Sequence, residues 1–359
     1  MEARHVNLNN IIKHFSPAWF ASVMGTGGVA NVLFELGGRM GFLKPVAMGL
    51  FWLNIGLFIV LIGPWLARWF THFSTLRKDI EHPVMSNFFV TMPVGGIILG
   101  TNFFIIGKSH FGMTLITDLG MAFWIFGVIM ALGLGVFVMY NLFFLETVPA
   151  EMTNFTWLIS PVASIVIPLL GNLLIGSYST TNLSLAKTIN LIDITFYGIG
   201  ILLFVFLASI LLNRFIVHRM PGGAVLPTFW IILGPIGVGA ISLMGIADSS
   251  KLLGLLASAD TLKILALILW GFGLWAFLLT TMITIRYLRS GGIPFTLSWW
   301  AFIFPMAAYT LSSFSVYSYT QVELVYWYTL FLAALLILMW AATFMRSLAG
   351  MLSGKLLVP

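Results

Sequence analysis

Five residue pairs recur along the chain: Met24-Gly25, Met92-Pro93, Ser160-Pro161, Gly234-Pro235 and Phe304-Pro305. Their second members are 68, 68, 74 and 70 residues apart. Each pair follows an aromatic doublet: Trp19-Phe20, Phe88-Phe89, Phe155 with Trp157, Phe229-Trp230 and Trp299-Trp300. Proline inside a helix removes one amide donor and strains the turn before it. Pro93, Pro161, Pro235 and Pro305 are therefore expected to kink helices and free the carbonyls of Phe89, Trp157, Ile231 and Ala301. At membrane depth, unpaired backbone is tolerated only beside protein or a water-filled cavity. A single kink is more often a packing feature, because Gly and Pro are common in membrane helices. Five in register favour a shared passage.

The chemistry available around these points is neutral. No Asp, Glu, Lys, Arg or His occurs within 16–34, 86–106, 153–176, 227–246 or 298–317. The polar side chains there are read as hydroxyls: Ser22, Thr26, Thr91, Ser160, Ser164, Ser242, Tyr309 and Thr310. Rings of Asp or Glu, which mark many cation pores, are missing. Hydroxyls and helix amides can replace part of an anion's hydration while holding it weakly enough for release. The candidate pore-lining or kink residues are Met24, Gly25, Thr26, Thr91, Met92, Pro93, Ser160, Pro161, Gly234, Pro235 and Pro305. Phe304 occupies a position where the other segments carry Met24, Met92, Ser160 and Gly234. The period is equally compatible with a hydrophobic gate that closes by dewetting and with a core ring packed between helices.

Nothing else forms a catalytic constellation, and no cofactor or metal is expected. Asp193 is the one ionisable residue placed inside a span, and it is expected to be solvated or to cap a helix end. The six histidines fall in tails, loops or helix ends, His82 at a helix start, without metal-ligand spacing. Glu146 and Glu151 flank Pro149 in what reads as a solvated turn. There are no cysteines, so disulfide and thiol chemistry are excluded.

The elements that must position these residues follow from composition. Of the 359 residues, 60% are apolar and 8% charged, against about 25% charged in an ordinary soluble domain. Only lipid makes so uncharged a surface stable. Ten intervals lack Asp, Glu, Lys and Arg: 14–34, 45–67, 82–107, 119–145, 152–186, 194–213, 220–247, 264–285, 290–322 and 324–345. A spanning helix needs roughly 20 apolar residues, so each interval holds one. Runs such as Leu202 to Leu212 lack the alternation of a barrel strand.

The expected fold is therefore one all-α integral membrane domain over 1–359, with ten transmembrane helices as five helical hairpins around a pseudo-fivefold central pore. The spans are placed at 16–36, 45–67, 84–106, 117–140, 153–176, 189–212, 226–246, 262–285, 296–317 and 323–345. With the N-terminus inside, the cytoplasmic segments hold Arg4, Lys13, Arg68, Arg77, Lys78, Arg214, Arg219, Arg286, Arg289, Arg346 and Lys355. The outer loops hold Arg39, Lys44, Lys108, Lys187, Lys251 and Lys263. This asymmetry places both termini in the cytoplasm of a multi-pass plasma-membrane protein. The positive charge reads as topology, since no clustered patch suggests nucleic acid. The apolar run from Phe15 to Phe34 reads as a retained helix and not a signal peptide.

Ser16-Pro17-Ala18-Trp19-Phe20 with Met24-Gly25-Thr26-Gly27 resembles the opening of the tellurite-resistance/dicarboxylate transporter family. His82-Pro83 with Phe88-Phe89, and Pro227-Thr228-Phe229-Trp230 with Gly234-Pro235, are similar to it as well. Most specific is Trp299-Trp300-Ala301-Phe302-Ile303-Phe304-Pro305-Met306, which resembles the ninth helix of plant guard-cell slow anion channels. The likeness runs in order along nearly the whole chain. It implies five hairpins around a kinked pore, occlusion by Phe304, and a homotrimer with one pore per subunit. It also implies a small-anion or C4-dicarboxylate substrate and no enzymatic activity. The sequence shows none of the long cytoplasmic tails of the plant channels, so their kinase control is not expected to carry over. Two alternatives stay open: a proton-coupled dicarboxylate, tellurite or sulfite carrier, and a membrane enzyme or sensor without transport.

Overall fold

The computed structural model describes residues 7–357. Glu2, Arg4 and His5 lie outside the described residues.

The described chain is helical. A short α1 (Leu8–Lys13) precedes α2 (Phe20–Leu36), α3 (Leu43–Thr71), α4 (Phe73–Glu81), α5 (Thr91–Ile105) and α6 (Met113–Phe143). Next come α7 (Ile159–Ile165) and α8 (Ile167–Tyr178), one run interrupted at Val166, and α9 (Leu183–Val217). The chain continues through α10 (Leu233–Leu252), α11 (Asp260–Arg289), α12 (Trp300–Thr320) and α13 (Glu323–Leu352). Eight helical runs are long and apolar enough to cross a membrane. The 17-residue α2 and the hydroxyl-rich α12 are not among the eight.

Five helices start from a tighter 3-10 turn: Pro17–Trp19 before α2, Met85–Val90 before α5, Phe155–Leu158 before α7, Leu226–Ile232 before α10, and Leu297–Trp299 before α12. Short polar residues start three of these turns by capping their first amides. Ser16 Oγ accepts from the Ala18 N–H, Asn154 Oδ1 from Thr156 and Thr296 Oγ1 from Ser298. His82 does the same through Nδ1, accepting from Val84 and Met85 at 3.1 and 3.2 Å.

The expected mid-helix kinks take a different form at three of the four prolines. Pro93, Pro161 and Pro235 each occupy the third position of an α-helix, directly after a 3-10 turn. The first four amides of an α-helix have no intrahelical partner, so a proline there sacrifices no bond. Of the four, only Pro305 lies in the interior of a continuous α-helix, α12.

Burial separates two sets. In the most apolar stretch of Met85–Ile105, Phe155–Tyr178 and Leu226–Leu252, 83–89% of residues are buried. The corresponding share is 22–28% for α3, α6, α9, α11 and α13. The second set exposes Leu, Ile, Val and Phe to what must be lipid, since no water-facing surface of that size is stable. Within the buried set, α2 packs on α5, α5 on α7 and α8, these on α10, α10 on α12, and α12 on α2. Close approach requires small residues: a Cβ at Gly237 would lie 2.5 Å from the Ala308 carbonyl carbon and the Tyr309 nitrogen.

Candidate functional site

Two cavities lie between the buried helices. The wider, about 600 Å³, is bordered by Asn31 of α2, Thr101 of α5, Asn172 of α8, Asp248 of α10, Lys263 of α11 and Ser315 of α12, among others. Lys263 Nζ pairs with Asp248 Oδ1 at 2.7 Å, and Glu35 also borders this chamber. The narrower, about 50 Å³, lies toward the 3-10 turns. Its wall takes Met24 from α2, Thr91 from α5, Ile159 from α7, Gly234 from α10 and Ala301 from α12. Among the described residues Phe304 is the one that borders both cavities, and it is 5% exposed.

The residues singled out by periodicity therefore divide. Met24, Thr91, Gly234, Phe304 and Pro305 border the narrow cavity together. The others do not. A Cβ on Gly25 would touch Ile303 and Trp300 of α12. Thr26 Oγ1 accepts from Trp340 Nε1 of α13 at 3.1 Å. Met92 packs with Phe15, Trp19, Phe20 and Trp65. Pro93 borders a small void toward Gly127 and Ala131 of α6. Ser160 is buried and its hydroxyl has no partner; a Cβ on Gly135 of α6 would lie 3.6 Å from it. The Pro161 carbonyl lies against Gly200 of α9, and Pro235 borders neither cavity. Opposite Phe304, the fifth and third segments thus present Ile159, Val162 and Thr91 in place of Ser160 and Met92.

A family profile described as voltage-dependent anion channel matches residues 14–348. The chain belongs to that family. Among its relatives, an uncharacterized transporter of Methanocaldococcus jannaschii is 34% identical over 96% of both chains. A sulfite efflux pump of Trichophyton rubrum is 25% identical, covering 84% of this chain and 81% of its own. A malic acid transport protein of Schizosaccharomyces pombe is 22% identical, covering 85% and 71%. The resemblance to tellurite-resistance/dicarboxylate transporters is thus real, and this member of the anion-channel family sits among transporters, not enzymes. Among the described residues no three His, Cys, Asp or Glu side chains cluster as metal ligands.

Two features of this family member escaped the sequence reading. The inner helices carry amides as well as hydroxyls: Asn31 of α2 and Asn102 of α5 are buried, and Asn172 of α8 is half-buried. Their spacing of 71 and 70 residues was a usable signal, because it repeats the period of the breakpoints. The second is Asp193, which is neither solvated nor a cap. It is the eleventh residue of α9 and fully buried. Trp124 Nε1 donates to its Oδ1 at 3.0 Å, while Oδ2 has no partner. Gly171 of α8 makes the room, since a Cβ there would fall 2.0 Å from Oδ2. Burial against two other helices is a tertiary fact, invisible in the local pattern of α9.

Proposed function

We propose that the chain is a ten-span, five-hairpin transporter that passes small anions along the axis of its five inner helices, with Phe304 as the gate. The observation that carries this reading is the convergence of five helix N-terminal turns on one small cavity whose far wall is Phe304. Each helix N-terminus carries roughly half a positive charge. Five bordering one neutral space would attract an anion without binding it as a lysine would, so release stays fast. The phenyl ring then interrupts the continuous water that an anion needs. Sulfite and malate, the cargoes named for two relatives, are the substrates to try first. In this reading both termini face the cytoplasm, the membrane is the plasma membrane, and three subunits assemble, each with its own path.

Purified protein in proteoliposomes is expected to carry chloride, nitrate, sulfite or malate, with reversal potentials that follow the anion gradient. Silence toward all four, with the protein correctly inserted, would discard the proposal.

One observation favours a second reading, a proton-coupled carrier. An intramembrane carboxyl is a functional group by default, and the Oδ2 of Asp193 is free to hold a proton. If coupling runs through it, Asp193→Asn keeps the Trp124 hydrogen bond, retains malate binding and abolishes uptake driven by a pH gradient. Uptake at the wild-type rate, equally sensitive to pH, would remove Asp193 from any coupling.

A further inference from the structure

We infer that Asn31 and Asn172 present oriented amide N–H groups to the wide chamber and form an oxyanion station there, with Asn102 as the residue that orients Asn31. The inference rests on the anion path proposed above and adds its selectivity.

The orientation follows from the bonds. Asn102 Nδ2 donates to the Gly27 carbonyl at 3.0 Å and to Asn31 Oδ1 at 2.7 Å. A backbone carbonyl only accepts, so the atom of Asn102 facing it must be the nitrogen. The atom of Asn31 facing that nitrogen must then be oxygen. Asn54 Nδ2 donates to Asn102 Oδ1 at 2.9 Å and holds the other end of the chain. Gly27 makes the crossing possible, because a Cβ there would fall 2.6 Å from Asn54 Nδ2 and 2.7 Å from Asn102 Oδ1. With its oxygen occupied, Asn31 turns its amide nitrogen toward Thr101, where it donates to Oγ1 at 3.2 Å. The Thr101 hydroxyl proton is itself spent on the Ile98 carbonyl. One N–H of Asn31 remains, on a residue that borders the chamber.

Asn172 is fixed by the same logic. The Ser249 hydroxyl donates to its Oδ1 at 2.9 Å, and its Nδ2 lies 3.5 Å from the Ser242 carbonyl. Its second N–H is likewise unspent at the chamber wall. Both side chains therefore offer hydrogen and keep their oxygens engaged, so these two residues favour an anion over a cation.

Charge does not supply the attraction. Glu35, Asp248 and Lys263 border the chamber, and the lysine is paired. Neutral donors on α2 and α8 suit an ion with several separated acceptor oxygens, such as a carboxylate or sulfite. A halide, with a single centre, gains less from donors set on separate helices.

The test uses full-length protein with malate, sulfite and chloride as probes. Asn31→Asp keeps the acceptor for Asn102 and replaces the free N–H with oxygen. Asn172→Leu removes the other donor without adding charge. Each is expected to raise the half-saturating malate concentration and to lower the malate-to-chloride flux ratio by about tenfold. Asn102→Leu, which leaves Asn31 free to flip, is expected to shift the ratio in the same direction. Leu311→Asp adds a charge to the same chamber and is expected to lower all three fluxes together. An unchanged ratio in both folded Asn31→Asp and Asn172→Leu overturns the station. Thermal stabilisation of solubilised protein by malate gives a readout independent of flux. Malate protection of wild type that is lost in Asn31→Asp supports the station even if no anion is transported, and no protection in any form overturns it. Failure of the transport proposal alone shows as wild-type protein that binds malate and passes nothing.

Discussion

Phe304→Ala is expected to raise anion current through single-protein bilayers by about 100-fold. The ring borders both cavities and, among the described residues, is the only side chain that does. Loss of a single hydrogen bond on burial costs a polar group roughly 2–7 kcal/mol, and an ion more. Relief of about 3 kcal/mol of that barrier corresponds to ~100-fold in rate. The experiment separates the two meanings that periodicity left open. A core phenylalanine cut to alanine loses about 3–5 kcal/mol of stability and opens nothing. A gating ring cut to alanine opens the path at smaller cost to the fold, because the space it vacates joins two existing cavities. Phe304→Leu is expected to fall between. Wild-type current in a destabilised Phe304→Ala protein would remove the gate.

Arg68→Ala is expected to destabilise the protein by about 3–5 kcal/mol, the usual result of breaking a buried ion pair from one side. Arg68 is 1% exposed. Its guanidinium donates to the Lys13 carbonyl at 3.0 Å, the Phe15 carbonyl at 2.9 Å and Asp79 Oδ2 at 2.6 Å. One side chain thus ties the end of α3 to α4 and to the strap that leads into Ser16-Pro17 and α2. Arg68→Lys is expected to recover little, because an ammonium cannot reproduce the planar fork. Asp79→Asn is expected to cost less, as Asp79 is 30% exposed and its charge is partly screened. Denaturant unfolding in detergent reads all three. An Arg68→Ala midpoint equal to wild type would show that the two carbonyls and Asp79 find other partners.

Arg68 also illustrates a limit of charge counting. In the sequence it is one of several positive residues that set orientation. In the structure it is a clamp on the first inner helix, because the end of α3 packs where the chain from α1 turns back. Asp193 teaches the same lesson in reverse: a carboxyl that reads as a helix-end residue is enclosed by Trp124 and Gly171 from two other helices.

By itself the sequence determined that the chain is helical and lives in lipid, and that an interrupted helix recurs along it. It also singled out Phe304-Pro305 as the odd member of that repeat. These are properties of composition and period, and lipid enforces them on any chain with so few charges. Tertiary structure alone decided which side chains meet. Successive residues on a helix differ in direction by about 100°, so a register shift of one residue turns a side chain from the axis toward a neighbour. That rotation depends on the partner helices. It sends Thr91 to the cavity and Met92 to the aromatic cluster around Trp65, and it places Asn31 and Asn172 on the wall of the chamber that Phe304 also borders.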